Sequence, residues 1–146
     1  MNLGNTQVLV NGREASECLI NAYTAASFGV PLILVSGDAA LCRSVHDLNP
    51  GIRTVAVSEG QGGASTSIHP MQAVKRIKRA AADALHEGPS GELVFPPCFD
   101  LEIRFKQHGD AHRASFYPGA VRKGPLAVAY ACSEWFEALR FFFFVL

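Results

Sequence analysis

The first part of the chain alternates short apolar runs with segments whose apolar residues recur at helical spacing. A β-type run at residues 6–10 ends in Asn11-Gly12, a dipeptide typical of tight turns. Apolar residues at helical spacing then predict a helix that begins at Glu17, with Ser16 as its N-cap. A strand, a turn and a helix therefore open the chain.

Two further strand–helix pairs are predicted before residue 90. Continuous apolar runs at residues 32–35 and 52–57 are typical of strands that are covered on both faces in a parallel sheet. Asp38 is the predicted N-cap of a second helix, and residues 59–67 are predicted to form a polar loop. A long helix begins at Pro70, and its predicted buried stripe comprises Met71, Val74, Ile77, Ala81 and Leu85. This order predicts parallel strands with right-handed crossovers.

The pattern changes after residues 87–97, a segment whose Gly and Pro residues indicate a boundary. Residues 101–106 alternate apolar and charged side chains, which predicts a half-exposed strand. The remaining predicted elements are a helix at residues 110–116, strands near Val121 and at residues 126–131, and a helix from Ser133. The sequence thus predicts an α/β fold, a parallel-sheet part followed by a smaller α+β unit.

Composition narrows the class of protein. The chain has 146 residues, and 49% of them are hydrophobic, as is typical of a globular domain. Its 13 Lys and Arg residues balance 13 Asp and Glu residues. The absence of a basic excess argues against a nucleic-acid partner. The apolar run at residues 141–146 is far shorter than the ~20 residues of a membrane helix, so no membrane partner is expected. Four separated cysteines without a Cys-x-x-Cys pair indicate reduced thiols and favour a cytoplasmic location.

Candidate chemistry is sparse. Glu17 lies at a helix start that follows a strand and a turn, where α/β sheets place ligands, although a glutamate there also complements the helix dipole. Residues 58–63 form a glycine-rich run that could cradle a phosphate, but their spacing favours a flexible connector. His108 and His112 have the i, i+4 spacing that would place two metal ligands on one face of a helix. Gly109 weakens the helix there and no third ligand is evident, so a surface pair is favoured.

Three other features have simpler structural interpretations. The basic residues at positions 75–79 of the long helix are expected to form a solvated face. Cys18 has no neighbouring histidine to act as a base, which favours a packed thiol over a nucleophile. Trp135 and the run Phe141–Phe144 are expected to form core or subunit contacts.

Several short motifs coincide in one order along the chain. They are an Asn-Gly turn at Asn11-Gly12, a glutamate that opens a helix at Glu17, an Asn-Ala pair within that helix at Asn21-Ala22, and a Gly-Val-Pro segment that follows the helix at Gly29-Val30-Pro31. Later stretches at residues 96–97, 101–106, 118–120 and 137–140 extend the pattern. In this combination the sequence resembles the D-aminopeptidase family of zinc metallopeptidases over essentially its whole length.

The resemblance implies that Glu17 is one ligand of a pair of zinc ions. The family's other ligands are an aspartate and a glutamate of an amino-terminal Asp-x-Glu strand and two histidines, and a further histidine serves catalysis. Paired metals polarise the substrate carbonyl and lower the pKa of a bound water. The resemblance also implies short peptides with amino-terminal D-residues as substrates, and assembly into homo-oligomeric rings.

Of the family's five metal ligands, only Glu17 has a counterpart in this chain. Since a zinc site needs three or four protein ligands, zinc is not expected to be held by this chain alone, which is then inactive by itself. The leading hypothesis is the carboxy-terminal portion of a metallo-aminopeptidase, with residues 1–90 as the parallel-sheet half of the α/β catalytic domain and residues 91–146 as a smaller α+β domain. The alternative is a non-catalytic α/β module that oligomerises or binds a partner through Phe141–Phe144.

Overall fold

The computed structural model describes residues 5–89 and 93–146, which form a mixed α/β fold. The predicted fold class is therefore confirmed at this level. The elements in chain order are β1 Asn5–Val10, β2 Arg13–Glu14, α1 Glu17–Ser27, β3 Leu34–Asp38, α2 Ala39–Leu48, β4 Arg53–Gln61, β5 Ala64–Ser67, α3 Pro70–Glu87, β6 Phe99–Phe105, α4 His108–Ala114, β7 Val121–Arg122, β8 Ala127–Cys132 and α5 Trp135–Val145. Within the described ranges, no helix is both long enough and apolar enough to cross a membrane.

The chain divides into two compact units. One comprises Met1–Ser27 with Phe95–Leu146, and the other comprises Phe28–Val94. This grouping differs from the predicted division at residue 90, because β1 pairs with β6 rather than with β3. The predicted boundary segment overlaps residues 90–92, which lie outside the described residues.

The first unit is built on an antiparallel sheet with the strand order β2-β1-β6-β8-β7. The predicted alternation in β6 is confirmed, since Phe99, Leu101, Ile103 and Phe105 are buried while the residues between them are more exposed. The prediction that β1 is the first strand of a parallel sheet was wrong, because β1 pairs with β6 in the antiparallel direction. Local apolar pattern does not specify a partner that lies about ninety residues away in the sequence.

Aromatic packing fills the core of this unit. Trp135 of α5 contacts Tyr23 of α1 and Phe99 of β6 with ring centroids 5.2 and 4.9 Å apart. Phe141 of α5 stacks on Tyr130 of β8 at 4.9 Å. Trp135, Phe99 and Phe141 are all nearly inaccessible to solvent. The predicted core role of Trp135 and of part of the Phe141–Phe144 run is therefore confirmed.

The Asn-Gly turn does more than reverse the chain. Asn11 and Gly12 both have positive φ, at 50° and 77°, as a two-residue hairpin between β1 and β2 requires. The Asn11 side chain accepts a 2.7 Å hydrogen bond from the Asp100 N–H and donates a 3.1 Å bond to the Cys98 carbonyl. Asn11 thus ties the hairpin to the start of β6.

The second unit contains the three-stranded sheet β3-β4-β5, in which β3 and β4 are parallel. Asp38 caps α2 as predicted, since its carboxylate accepts a 2.8 Å hydrogen bond from the Leu41 N–H. The predicted loop at residues 59–67 was wrong: β4 continues to Gln61 and forms a hairpin with β5 through a glycine turn. A polar, exposed hairpin has no apolar periodicity, so composition alone suggests a loop.

The stripe predicted to be buried on α3 is largely exposed. Met71, Val74 and Leu85 are exposed over 74%, 65% and 73% of their surface, whereas Ala84 is buried. The same holds for β3, whose side chains are half-buried or exposed instead of covered on both faces. The described part of the second unit therefore leaves apolar surface of both elements open.

We expect Asn11→Ala to destabilise the protein by about 1–3 kcal/mol, because it removes two hydrogen bonds and because alanine tolerates the positive φ of this position less well than asparagine does. Asn11→Gly also removes both bonds but tolerates the backbone conformation, so it should cost less. Urea unfolding of the two variants measures the difference. Equal stability of wild type and Asn11→Ala would contradict a structural role for this side chain.

Candidate functional site

Glu17 is the first residue of α1 and is exposed. The predicted cap is confirmed, because the Ser16 hydroxyl accepts a 3.1 Å hydrogen bond from the Leu19 N–H. Just before the helix, the Ala15 N–H donates a 2.8 Å bond to the Val8 carbonyl of β1. The backbone of Glu17 is thus held at a fixed point on the surface of the first unit.

The far side of α1 is anchored in the core. The Trp135 indole N–H donates a 2.9 Å hydrogen bond to the Thr24 hydroxyl, which in turn donates a 2.8 Å bond to the Ile20 carbonyl. Tyr23 packs between Phe95, Phe99 and Trp135. The helix that carries Glu17 is therefore held by a polar anchor as well as by apolar burial, which is the kind of support that a metal ligand needs.

The described residues do not by themselves assemble a metal centre. Among residues 5–89 and 93–146, no three His, Cys, Asp or Glu side chains lie together in a way that could hold an ion. A zinc ion needs three or four protein ligands, so Glu17 without further ligands does not fit one zinc ion, and still less two. Any zinc chemistry at this point requires ligands from beyond the described residues.

The two histidines at i, i+4 spacing are occupied with structural contacts. His108 Nδ1 lies 3.2 Å from the Pro125 carbonyl oxygen, and the His112 ring packs edge-to-face on Phe116 at 4.9 Å. They share the short helix α4, but the structure brings no third ligand to them within the part it describes. The interpretation as a surface pair is consistent with both contacts.

The other sequence candidates also have structural roles. The glycine-rich run at residues 58–63 is part of the β4-β5 hairpin, so it does not lead directly into a helix N-terminus that could hold a phosphate. The four basic residues at positions 75, 76, 78 and 79 of α3 are exposed, as expected of a solvated face. Ile77, which lies between them in the sequence, is half-buried.

Cys18, next to Glu17, is partly buried, and this burial raises the pKa of its thiol. Burial is also the main cause that raises the pKa of Cys132, with a further contribution from the carboxylate of Glu137. A raised pKa lowers the thiolate fraction at neutral pH, which is the opposite of what an activated nucleophile requires. The packed-thiol interpretation of Cys18 is therefore supported.

One feature was missed in the sequence, an open groove of about 510 Å³ on the first unit. Asp100 and Glu102 of β6 line it together with the small residues Ala129 and Ala131 of β8, and Lys123 also contributes. The register of β6 and β8 pairs Asp100 with Ala131 and Glu102 with Ala129. The apolar–polar alternation of β6 was the indication of this groove in the sequence, because the polar residues between the buried ones had to lie on the sheet face opposite the core.

Comparison with known protein families decides the broader assignment. The model of the D-aminopeptidase family matches residues 2–144. The chain belongs to the D-aminopeptidase family. It is 28% identical over 143 residues to a D-aminopeptidase of Bacillus subtilis strain 168, a match that covers 96% of this chain and 52% of that protein.

A solved structure gives the same assignment at the level of the fold. This D-aminopeptidase-family chain superimposes with a TM-score of 0.87 and 26% identity on the protein described as "Zn-dependent D-aminopeptidase DppA from Bacillus subtilis, a self-compartmentalizing protease". The match covers 98% of this chain and 53% of that one. The chain thus spans about half the length of the relatives that it matches.

Alkylation of the four thiols tests the environment of the residue beside Glu17. Iodoacetamide should label the exposed Cys98 first, and Cys18 and Cys132 more slowly, because burial raises the pKa of both. Peptide mapping by mass spectrometry gives the order, and labelling in denaturant, where the four rates should converge, is the control. If Cys18 reacted as fast as Cys98 in the folded protein, the packed-thiol interpretation would be contradicted.

Proposed function

We propose that this chain forms the part of a zinc-dependent D-aminopeptidase that carries Glu17, and that the complete enzyme releases amino-terminal D-residues from short peptides. The observation that carries the proposal is the superposition at a TM-score of 0.87 over 98% of the chain. The family match over residues 2–144 supports the same activity class. Glu17 is the residue proposed as a metal ligand.

The position of Glu17 suits that role. It follows a confirmed N-cap, and its helix is anchored by the Trp135 bond to Thr24. When bound, the zinc pair would polarise the scissile carbonyl and supply an activated water. What this chain contributes is the carboxylate of Glu17 on an anchored helix, while the other ligands come from outside the described residues.

Open surface on the second unit supports additional structure next to this part of the enzyme. Within the described sheet, β3 has β4 on one side only, so its other edge is available for pairing. Met71, Val74 and Leu85 of α3 are exposed as well. A further strand and a covering element would satisfy both surfaces, as expected if the active enzyme contains more than these residues.

The proposal extends to partners and location. The structural neighbour is described as self-compartmentalizing, and we propose that this protein likewise assembles from identical subunits. The balanced charge argues against a nucleic-acid partner. Four free cysteines, of which Cys98 is exposed, suit a reducing cytoplasmic compartment.

A second candidate function is a non-catalytic α/β module that oligomerises or binds a partner. The observation in its favour is the exposure of Phe143 and Phe144 on the last helix, over 82% and 69% of their surface. Under this alternative Glu17 complements the dipole of α1 and binds no metal.

A fusion experiment distinguishes the two functions. On the hypothesis that this chain is the carboxy-terminal portion of such an enzyme, it is joined behind the amino-terminal portion of the Bacillus subtilis D-aminopeptidase, and zinc content and cleavage of a D-alanyl dipeptide are measured. We expect the fusion to bind zinc and cleave the dipeptide, whereas the 146-residue chain alone should do neither. Hydrolysis by the purified chain alone would contradict the proposed dependence on outside ligands.

Glu17→Gln in the fusion isolates the proposed ligand. Zinc affinity and hydrolysis should each fall by more than about tenfold, since loss of a ligand should cost at least as much as loss of an outer-shell partner. Glu14→Gln is the matched control, because Glu14 is another exposed glutamate three residues earlier and should leave both unchanged. Full zinc content in the Glu17→Gln fusion would overturn the role of Glu17 as a metal ligand.

A further inference from the structure

The groove on the first unit follows β8 across the outer face of the antiparallel sheet. This strand presents only small side chains on that face, because Ala127, Ala129 and Ala131 alternate with Val128, which is buried on the core face. The neighbouring strands β6 and β7 lie about 4.8 Å away on either side, so the floor is about 10 Å wide. The groove volume of about 510 Å³ is typical of sites for small molecules.

The walls of the groove carry opposite charges at its two ends. Along β6, Asp100 lies at one end, and Glu102 and Arg104 follow towards the other end on the same face. At that other end, the Lys123 N–H donates a 2.9 Å hydrogen bond to the carbonyl of Ala127, the residue of β8 that pairs with Arg104. Lys123 is therefore level with Arg104. One end of the groove is acidic and the other is basic.

Two of these four charges neutralise each other. The guanidinium of Arg104 donates a 2.7 Å hydrogen bond to the carboxylate of Glu102 within β6. Within the part of the chain that the structure describes, the Asp100 carboxylate and the Lys123 ammonium take part in no hydrogen bond or ion pair. Both residues are exposed. An anion at one end of the groove and a cation at the other therefore remain available to a ligand.

The distance between the two available charges sets the length of a ligand that reaches both. Asp100 lies four residues before Arg104 in β6, and at about 3.4 Å per residue this separates the levels of Asp100 and Lys123 by about 14 Å. An extended peptide spans at most about 3.3–3.6 Å per residue, so three or four residues reach about 10–14 Å. A single amino acid carries both charges too close together to contact both ends.

We propose that this groove binds a zwitterionic peptide of three or four residues, with its amino-terminal ammonium at Asp100 and its carboxylate at Lys123. The peptide backbone lies over the alanines of β8, where no long side chain obstructs it. Because both charged residues are exposed, each ion pair contributes little, and the dissociation constant is on the order of millimolar. The inference shares its ligand class with the proposed function, but it requires neither a metal nor Glu17.

Amide chemical shifts of the 146-residue chain, followed by NMR during titration in the presence of a metal chelator, test the site. The probe is tri-D-alanine with free ends, and it should shift the amides of Ala129 and Ala131 saturably. Acetylation of the amino end or amidation of the carboxyl end should each weaken binding about two- to fivefold, and alanine alone should bind more weakly than the tripeptide. Absence of saturable shifts in the groove, or equal affinity for the free and the amidated peptide, would overturn the proposal.

Two variants assign the ends of the groove. Lys123→Gln should lose the preference for a free carboxylate and keep the preference for a free ammonium, whereas Asp100→Asn should do the reverse. Lys75→Gln is the matched control, because Lys75 is an exposed lysine of α3 in the second unit, and it should bind all three peptides as the wild type does. Retention of both preferences in Lys123→Gln or in Asp100→Asn would overturn the proposal. Either result leaves the zinc content of the fusion, and with it the role of Glu17, to be decided separately.

Discussion

The pairing of β1 with β6 is the interaction on which the rest of the first unit depends. It joins Val8 and Val10 to Ile103 and Leu101 across most of the sequence, and all four side chains are buried in one core. The Asn11 side chain fastens the end of this pairing to the backbone at Cys98 and Asp100. Closing so long a loop costs entropy, which the apolar core must offset.

This pairing also determines where Glu17 lies. The chain leaves β1, turns through β2 and enters α1 within a few residues, so the start of α1 is fixed relative to the sheet. The same helix is anchored at Thr24 by Trp135, which belongs to the last helix of the chain. A residue proposed as a metal ligand therefore depends on elements from both ends of the sequence, whereas the metal site itself needs ligands that the described residues do not provide.

Signals with a local physical cause were predictable from the sequence. The Ser16 and Asp38 caps, the Asn-Gly turn and the alternation in β6 each follow from neighbouring residues, and the structure confirms all four. The candidate position of Glu17 at a helix start was predictable for the same reason. Its proposed role came from the family resemblance, because a single carboxylate has no distinctive spacing.

Features that depend on distant partners were not predictable. The antiparallel pairing of β1 with β6, the extension of β4 into a hairpin and the exposure of Met71 and Val74 all reflect which elements meet in space. The groove beside Asp100 required knowledge of the register with β8. Apolar periodicity identifies a face that needs covering, but it does not say what covers it.

The central claim is that the carboxylate of Glu17 coordinates zinc in a complete D-aminopeptidase. Anomalous X-ray scattering at the zinc edge, from crystals of this chain joined to the amino-terminal portion of a relative, tests it most directly. The prediction is a zinc ion with a Glu17 carboxylate oxygen at about 2.0–2.2 Å. A fully occupied zinc site without Glu17 among its ligands would contradict the claim.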